Sequence, residues 1–267
     1  MFRNVVLGQY YPVESLSHRL DPRTKIVMAI IYIVVLFLVK GVPAYGVLSA
    51  FSLGAILLSR VPVRLVLRTL RPILFILAFT LVLHVFFTKG EPLFTLGPLT
   101  GSRQGLVQGA FMASRLLLLI STTSLLTLTT SPIALTDGIE ALLRPFKPLG
   151  VPAHELAMMM TIALRFIPTL LEEAEKIMKA QMARGADFES GNIVKRARGM
   201  VPLLVPLFVG AFRRADDLAL AMEARCYRGG ENRTRMKQLR LGLADYVALT
   251  VFSAIMASSI VLGRLLL

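Results

Sequence analysis

Residue types that build common catalytic and metal sites are scarce in this sequence. Cysteine occurs once, at Cys226, so the chain can form neither an internal disulfide framework nor a cysteine-based metal site. The three histidines, His18, His84 and His154, are scattered, and no HExxH motif occurs. The GxxxxGK[ST] phosphate-binding loop is also missing. We therefore expect no cofactor and no metal site built from cysteines or an HExxH motif, and we do not expect the chain itself to bind or hydrolyse ATP.

Charged residues are scarce as well. They make up 17% of the 267 residues, whereas apolar residues make up 55%, and a typical soluble domain has about 25% charged residues. The apolar residues fall in blocks, and a helix needs roughly 17 to 25 of them to cross a hydrocarbon core about 30 Å thick. This composition predicts an all-α integral membrane protein, with the lipid bilayer as the solvent of these blocks.

Acidic residues are few relative to basic ones, 16 against 30, which gives a net charge of +14. A basic protein can bind nucleic acid, but here the basic residues lie between the apolar blocks. The sequence contains no RNA-binding signature and no Cys/His finger spacing. We therefore expect no nucleic-acid partner. Residues 1 to 25 are polar or mixed, so no cleavable signal peptide is predicted either.

About five transmembrane helices are predicted from the apolar blocks. These blocks are residues 26–39, 44–58, 73–87, 105–128 and 243–262. Two further runs, 158–171 and 200–212, are short or broken by proline, and they leave the number of spans between five and seven. The spans predict an N-terminal transmembrane domain with four spans at 1–128, a region between the fourth and fifth spans at 129–242 and a C-terminal transmembrane helix at 243–267.

The positive-inside rule orients these spans. With the N-terminus inside, the segments before the first span and between the second and third carry Arg3, Arg19, Arg23, Lys25, Arg60, Arg64, Arg68 and Arg71 on the inner side. The outer segments carry only Lys40, Lys89, Arg103 and Arg264. The region 129–242 adds seventeen basic residues to the inner side. We therefore predict that the N-terminus and residues 129–242 are cytoplasmic.

Long helices dominate the region 129–242. Ser131 and Pro132 are suited to start a first helix, and Pro145 to stop it. An amphipathic pattern opens at Pro152 and ends at Arg184 and Gly185, and another runs from Ile193 to Arg225. Both long patterns finish in Ala-Arg, within MARGAD at 182–187 and EARCYRGG at 223–230.

These two helix ends have two interpretations. Arginine in the last turn of a helix faces the negative end of the helix dipole, and a following glycine can close the helix, so ordinary capping would explain each end. The repetition of the pattern favours a docking surface instead. A small alanine lets a partner approach, and arginine offers a fork of donors to carboxylates or carbonyls.

Three parts of the sequence resemble a known family. They are LGQYYPVESLSHRLDPRTKI at 7–26, the run from TTSPIALTDGIEALLRPF through MKAQMARGADF at 129–188, and the second Ala-Arg motif. Together they are similar to the transmembrane (T) component of energy-coupling factor transporters, the CbiQ/EcfT family. The resemblance implies a multi-pass scaffold in the bacterial cytoplasmic membrane, a transporter subunit that is not itself an enzyme. Its partners would be two cytoplasmic ATP-binding subunits and one substrate-binding membrane subunit that takes up vitamins or transition-metal ions.

In that family, Ala-Arg-Gly ends of two coupling helices dock into grooves of the ATPases. The resemblance therefore assigns ATPase docking to Ala183, Arg184 and Gly185 and to Ala224 and Arg225. Cys226 stands where the family usually has glycine. Because cysteine is disfavoured in the left-handed region, we expect the second helix to run on to Gly229.

Arg115, near the middle of the fourth span, is costly in lipid, at roughly 3 kcal/mol on the insertion scale. It is predicted to contact the substrate-binding subunit, to form an internal lock, or to snorkel. An alternative function is a magnesium-dependent transferase acting on a lipid or prenyl phosphate, with Asp216 and Asp217 as metal ligands. Arg213 and Arg214 beside this pair would compete for its carboxylates.

Overall fold

The computed structural model of the protein describes residues 10–96, 99–186, 188, 192–230 and 239–265. Arg3, residues 7–9, Asp187 and the basic residues between 231 and 238, which were used above, lie outside this set. The elements follow in the order α1 Leu16–Arg19, α2 Pro22–Leu38, α3 Val42–Leu58, α4 Val63–Phe87, β1 Pro92–Leu96, β2 Leu99–Ser102, α5 Arg103–Thr129, α6 Pro132–Leu143, a 3₁₀ helix Arg144–Leu149, α7 Ala153–Ala183, α8 Ile193–Ala224 and α9 Leu243–Leu265.

The predicted fold class, an all-α integral membrane protein, is confirmed. Among the described residues, four helices are long and apolar enough to cross a membrane, and α3 is a shorter apolar helix. Three of the four, α4, α5 and α9, contain the third, fourth and fifth predicted spans. The remaining one is α7, which contains the run 158–171. The first predicted span lies on α2, whose 17 residues are about 25 Å long.

A short antiparallel hairpin between α4 and α5 is the one pair of strands in the described part of the chain. It joins β1 to β2, with Thr95 opposite Thr100 and Leu96 opposite Leu99. Sequence analysis did not predict it, because strands of five and four residues are too short to show a clear period of two.

The chain divides into two compact units, and the division falls within α6. The larger unit comprises Gly8–Ile139 and Gln238–Leu267. Its core is formed by α2, α3, α5 and α9, where Tyr32, Leu36 and Phe252 are almost completely buried. The Tyr32 hydroxyl donates to the Leu48 carbonyl oxygen at 3.1 Å and lies 2.6 Å from Ser52 Oγ, so the polar end of this buried ring is satisfied.

Within the larger unit, α4 and α5 lie side by side as an antiparallel pair. A Cβ at Gly105 would lie 2.1 Å from the backbone oxygen of His84, so only glycine permits this approach. Near the other end of the pair, Val66 and Leu70 of α4 pack with Leu128 of α5 in a second apolar cluster. The start of α4 is thereby held in a fixed position.

Asp245, in the first turn of α9, ties the start of that helix to the start of α2. Its two carboxylate oxygens accept hydrogen bonds from the backbone N–H groups of Asp21 and Gly242, each at 2.8 Å. The carboxylate is buried. Lys25, also buried, donates from Nζ to the Thr129 carbonyl oxygen at 3.0 Å, which adds the end of α5 to the same cluster.

The smaller unit, Glu140–Lys237, contains the long helices α7 and α8. Gln181 Nε2 donates to the Pro202 carbonyl oxygen at 3.5 Å, and Arg214 forms an ion pair with Glu173 at 2.5 Å. Moving forward along α7 from 173 to 181 therefore corresponds to moving backward along α8 from 214 to 202. The two helices run antiparallel.

Replacing the buried carboxylate of Asp245 is expected to destabilise the larger unit. Asp245→Ala leaves two N–H groups without their acceptor, which costs about 3 kcal/mol and lowers the temperature of unfolding by roughly 5 to 10 °C. Asp245→Asn keeps one acceptor and should lie in between. Thermal unfolding of the detergent-purified chain measures both effects, with the exposed Asp217→Asn as a control. Equal unfolding temperatures for Asp245→Ala and the unsubstituted chain would show that this cluster does not hold the helices together.

Candidate functional site

The end of α7 is closed by a Schellman motif. The Gly185 N–H donates to the Met182 carbonyl oxygen and the Ala186 N–H donates to the Gln181 carbonyl oxygen, each at 3.0 Å. Gly185 has φ +87°, the left-handed conformation that this motif requires. Arg184 is the C-cap residue, at φ −89° and ψ 7°. The predicted helix end at Arg184 and Gly185 is therefore where the structure has it.

The end of α8 repeats the same motif. The Cys226 N–H donates to the Glu223 carbonyl oxygen at 2.8 Å, and the Tyr227 N–H donates to the Met222 carbonyl oxygen at 3.0 Å. Counting from these bonds, Arg225 has the position in α8 that Arg184 has in α7. The backbone N–H of each arginine donates to the carbonyl oxygen three residues earlier: Arg184 to Gln181 at 3.0 Å and Arg225 to Met222 at 3.2 Å. Two different sequences thus present an arginine on the same backbone framework.

The expectation that α8 would continue to Gly229 is wrong. The helix ends at Ala224, and Cys226 itself has φ +53° in the left-handed region. Cysteine accepts this conformation because the two backbone bonds of the motif satisfy carbonyl groups that would otherwise lack a partner. Gly229 also has a positive φ, +83°, but it lies beyond the closed helix end.

All five predicted docking residues are exposed. They are Ala183, Arg184, Gly185, Ala224 and Arg225. Within the described part of the chain, neither guanidinium group forms an ion pair. An exposed arginine beside an exposed alanine leaves room for a partner to approach the helix end.

The antiparallel packing places the two arginine-bearing ends at opposite ends of the helix pair. The end of α7 lies near Pro202, in the first third of α8. The residues after α8 lie near the start of α7, because Tyr227 Oη is 3.3 Å from His154 Nε2. Sequence reasoning predicted both ends but not this separation, which depends on contacts across the smaller unit.

His154 connects the second arginine-bearing end to α6. Its Nδ1 lies 3.1 Å from Glu140 Oε1, while its Nε2 faces Tyr227. Sequence analysis treated His154 as an isolated histidine. No periodic pattern could have paired it with Tyr227, because 73 residues separate the two.

Arg115 makes contacts inside the larger unit. Its Nε donates to Tyr45 Oη at 2.9 Å, and its guanidinium carbon lies 5.2 Å from the centroid of the Phe37 ring. These contacts are those of an internal lock between α5, α3 and α2, and they lower the cost of placing the charge in lipid. A contact between Arg115 and another subunit stays a prediction.

Long stretches of α7 and α8 expose large apolar side chains. On α7 these are Leu156, Met159, Met160, Ile167 and Met182. On α8 they include Val201, Leu204, Val205, Phe208, Val209, Phe212 and Leu220. Apolar surface on this scale is typical of contact with lipid or with another protein.

Asp216 and Asp217 are exposed residues of α8. Nearby, Arg214 pairs with Glu173 of α7 instead of with these carboxylates. In the described ranges, no group of three or more His, Cys, Asp or Glu side chains is arranged to hold a metal ion. Asp216 and Asp217 provide one acidic pair. The transferase hypothesis also needs a second acidic motif, which the sequence does not contain.

Comparison with known proteins gives a consistent result. A family model described as "Cobalt transport protein" matches residues 13–236. The energy-coupling factor transporter transmembrane protein EcfT of Thermosediminibacter oceani is 59% identical over 258 residues, which cover 97% of each chain. The protein of the same name from Acidaminococcus fermentans is 58% identical, over 92% of this chain and 91% of that one. The Bacillus subtilis protein of this name is 51% identical, over 90% and 91%.

Exchanging the residues that close α7 and α8 tests the shared motif. Apart from its two chain neighbours, no described residue lies within 4 Å of a Cβ built on Gly185, so the strain expected in Gly185→Cys comes from the positive φ, at about 1 kcal/mol. Amide hydrogens in the last turn of α7 should then exchange about five-fold faster in hydrogen-exchange mass spectrometry. Cys226→Gly should slow exchange at the end of α8. Unchanged exchange after Gly185→Cys would mean that the left-handed residue does not close α7.

Proposed function

The chain belongs to the CbiQ/EcfT family of energy-coupling factor transporter transmembrane proteins, and from this premise we propose that it is the scaffold that couples two partner ATPases to a substrate-binding membrane subunit. Residues 129–242 form the coupling region between the membrane segments 1–128 and 243–267. The cargo is a vitamin or a transition-metal ion that the substrate-binding subunit carries. Family membership favours this function over the transferase alternative.

The observation that supports this proposal most directly is the repeated helix end. Arg184 and Arg225 are exposed and have the same position in two identical Schellman motifs. Two equivalent ATP-binding subunits require two equivalent contact points, and a guanidinium fork suits carboxylates or backbone carbonyls in their grooves. Because backbone bonds fix each C-cap, the direction of each arginine depends on its helix and not on neighbouring side chains.

Movement of the ATPases is transmitted through the helix pair. When ATP binding brings the two ATPases together, each pulls on its own arginine-bearing end. The ion pair between Glu173 and Arg214 and the bond from Gln181 to Pro202 hold α7 and α8 together, so the pair moves as one body. The exposed apolar side chains of these helices then carry the movement to the substrate-binding subunit, which turns and releases its cargo inward.

Substituting either docking arginine is expected to impair transport. Arg184→Ala and Arg225→Ala each remove a guanidinium group that is buried in the complex, so association with the ATPases should weaken about thirty-fold. Arg→Lys at each position should restore only part of the affinity, because an ammonium group lacks the planar fork. Binding is measured by co-purification with two co-expressed ATP-binding subunits, and transport by uptake of labelled cargo.

The matched control for these variants is Arg228→Ala, which removes an exposed arginine three residues beyond Arg225. It should insert, bind and transport normally. Normal transport by the Arg184→Ala/Arg225→Ala double variant would show that these two helix ends do not dock the ATPases.

The proposed location of residues 129–242 can be tested with Cys226. It is exposed, and it is the single cysteine of the sequence. If the region is cytoplasmic, a membrane-impermeant maleimide should label the chain in inverted inner-membrane vesicles and not in intact cells. A Cys226→Ser/Lys89→Cys variant should instead be labelled in intact cells and not in inverted vesicles. Labelling of Cys226 from outside intact cells would contradict both the orientation and the proposed docking of ATPases.

A further inference from the structure

Four exposed arginines follow one another where α3 ends and α4 begins. They are Arg60, Arg64, Arg68 and Arg71, separated by four, four and three residues. The last three lie on α4, where these spacings bring side chains to one face over about 10 Å. We refer to the four as the arginine stripe.

The two helices α4 and α5 supply no acidic side chain that could neutralise the arginine stripe. Neither α4 nor α5, the helix packed against it, contains an aspartate or glutamate. Of the ion pairs formed in the described ranges, none involves a residue of the stripe. Like charges three or four residues apart on a helix repel each other, so an anionic partner from outside the chain would relieve this repulsion.

The first residue of the stripe also lines a groove. This open groove has a volume of about 380 Å³ and lies between α1 and the end of α3. Its lining contains two positive charges, Arg19 and Arg60, against one negative charge, Glu14, and its other residues are Ser15, Leu16, Leu57 and Leu58. All three leucines are exposed, Leu57 by 72%.

Arg19 can take part in binding although it already has a neighbour. Its Nη2 lies 3.2 Å from Glu14 Oε2, and the two side chains are 73% and 91% exposed. An ion pair with that exposure contributes little free energy. Among the described residues, the other donors of the guanidinium group have no partner, so they can bind a second anion.

The backbone conformation at Arg60 has a higher conformational energy for arginine than it would have for glycine. Arg60 has φ +52°, in the left-handed region that favours glycine, directly after the C-cap Ser59 of α3. An arginine in a position suited to glycine indicates that the side chain has a use there.

We propose that the groove and the arginine stripe bind an anionic phospholipid, in the leaflet where α3 ends and α4 begins. The lipid phosphate lies between Arg19 and Arg60, and the glycerol and acyl chains pass over Leu57 and Leu58. Arg64, Arg68 and Arg71 bind neighbouring anionic headgroups along α4. Basic clusters directly beside an apolar span have this preference for anionic lipid.

A lipid fits this surface better than a soluble phosphate does. The stripe leads into the apolar part of α4, where Leu74, Phe75 and Ile76 are exposed. Charge and exposed apolar surface therefore follow one another along a single helix, as the headgroup and acyl chains do in a phospholipid. A free phosphate would use the guanidinium groups but would leave the leucines uncovered.

The absence of tryptophan from the sequence makes a direct test possible. Leu58→Trp introduces one fluorescent reporter into the groove of the full-length chain. The variant is reconstituted in phosphatidylcholine vesicles that contain phosphatidylglycerol, with bromine on the acyl chains of one lipid or the other. Brominated phosphatidylglycerol should quench the fluorescence more strongly than brominated phosphatidylcholine at equal bromine content, whereas equal quenching would overturn the proposal.

Substitutions identify the side chains responsible. Arg60→Gly relieves the positive φ, so loss of lipid selectivity in that variant cannot be attributed to unfolding. Arg60→Gly and Arg19→Gln should each weaken the preference for phosphatidylglycerol about five-fold. Arg103→Gln, which removes an exposed arginine at the opposite end of the α4–α5 pair, should leave it unchanged. A preference that survives Arg60→Gly together with Arg19→Gln would exclude the groove.

Two further measurements complete the test. Excess inorganic phosphate should not change the quenching, and its displacement of the lipid would assign the site to a soluble anion instead. If Leu58→Trp does not fold, native mass spectrometry can count phosphatidylglycerol molecules retained by the unsubstituted chain and by Arg60→Gly. Equal retention by these two chains would contradict the proposal.

Discussion

The carbonyl groups in the last turn of a helix have no following turn to satisfy them, and the way they are satisfied decides where the neighbouring side chains lie. In α7 and α8 the same two backbone bonds do this, although the left-handed residue is Gly185 in one helix and Cys226 in the other. The position of Arg184 and of Arg225 is therefore a property of the main chain. The two helix ends are thus equivalent in backbone geometry even where their sequences differ, as the proposed docking of two ATPases requires.

Antiparallel packing separates these two ends, so the proposed docking points lie at opposite ends of the helix pair. Helices of 31 and 32 residues are about 45 to 50 Å long, so their C-terminal ends lie far apart when they run in opposite directions. The two ends differ in the side-chain contacts of the residues that follow them. Tyr227, next to the end of α8, reaches His154 and through it Glu140 of α6. A movement at Arg225 thus has a polar route to the start of α7, in addition to the packing between the helices.

Sequence reasoning succeeded where the signal is local and failed where it depends on distant contacts. The apolar blocks and the Arg184-Gly185 helix end follow from composition and capping within a few residues. The third predicted span begins at residue 73, directly after Pro72, whereas α4 begins at Val63 and continues through this proline. The steric preference of cysteine predicts a helix that continues past Cys226. The helix ends at Ala224 because two backbone hydrogen bonds offset the cost of a left-handed Cys226. The neighbours of Arg115 and His154 come from other helices, so no pattern within one helix could show them.

Because carboxylates are scarce, few of the arginines can form ion pairs within the chain. Asp245 is committed to backbone N–H groups, Glu173 to Arg214, and Glu140 to His154. Arg115 is satisfied without an acid, through Tyr45 and Phe37. With 16 acidic residues against 30 basic ones, the chain cannot neutralise its remaining arginines internally. The arginines at the two helix ends and along α4 are exposed, and under the proposals made above the proteins and lipids around the chain would supply their counter-charges.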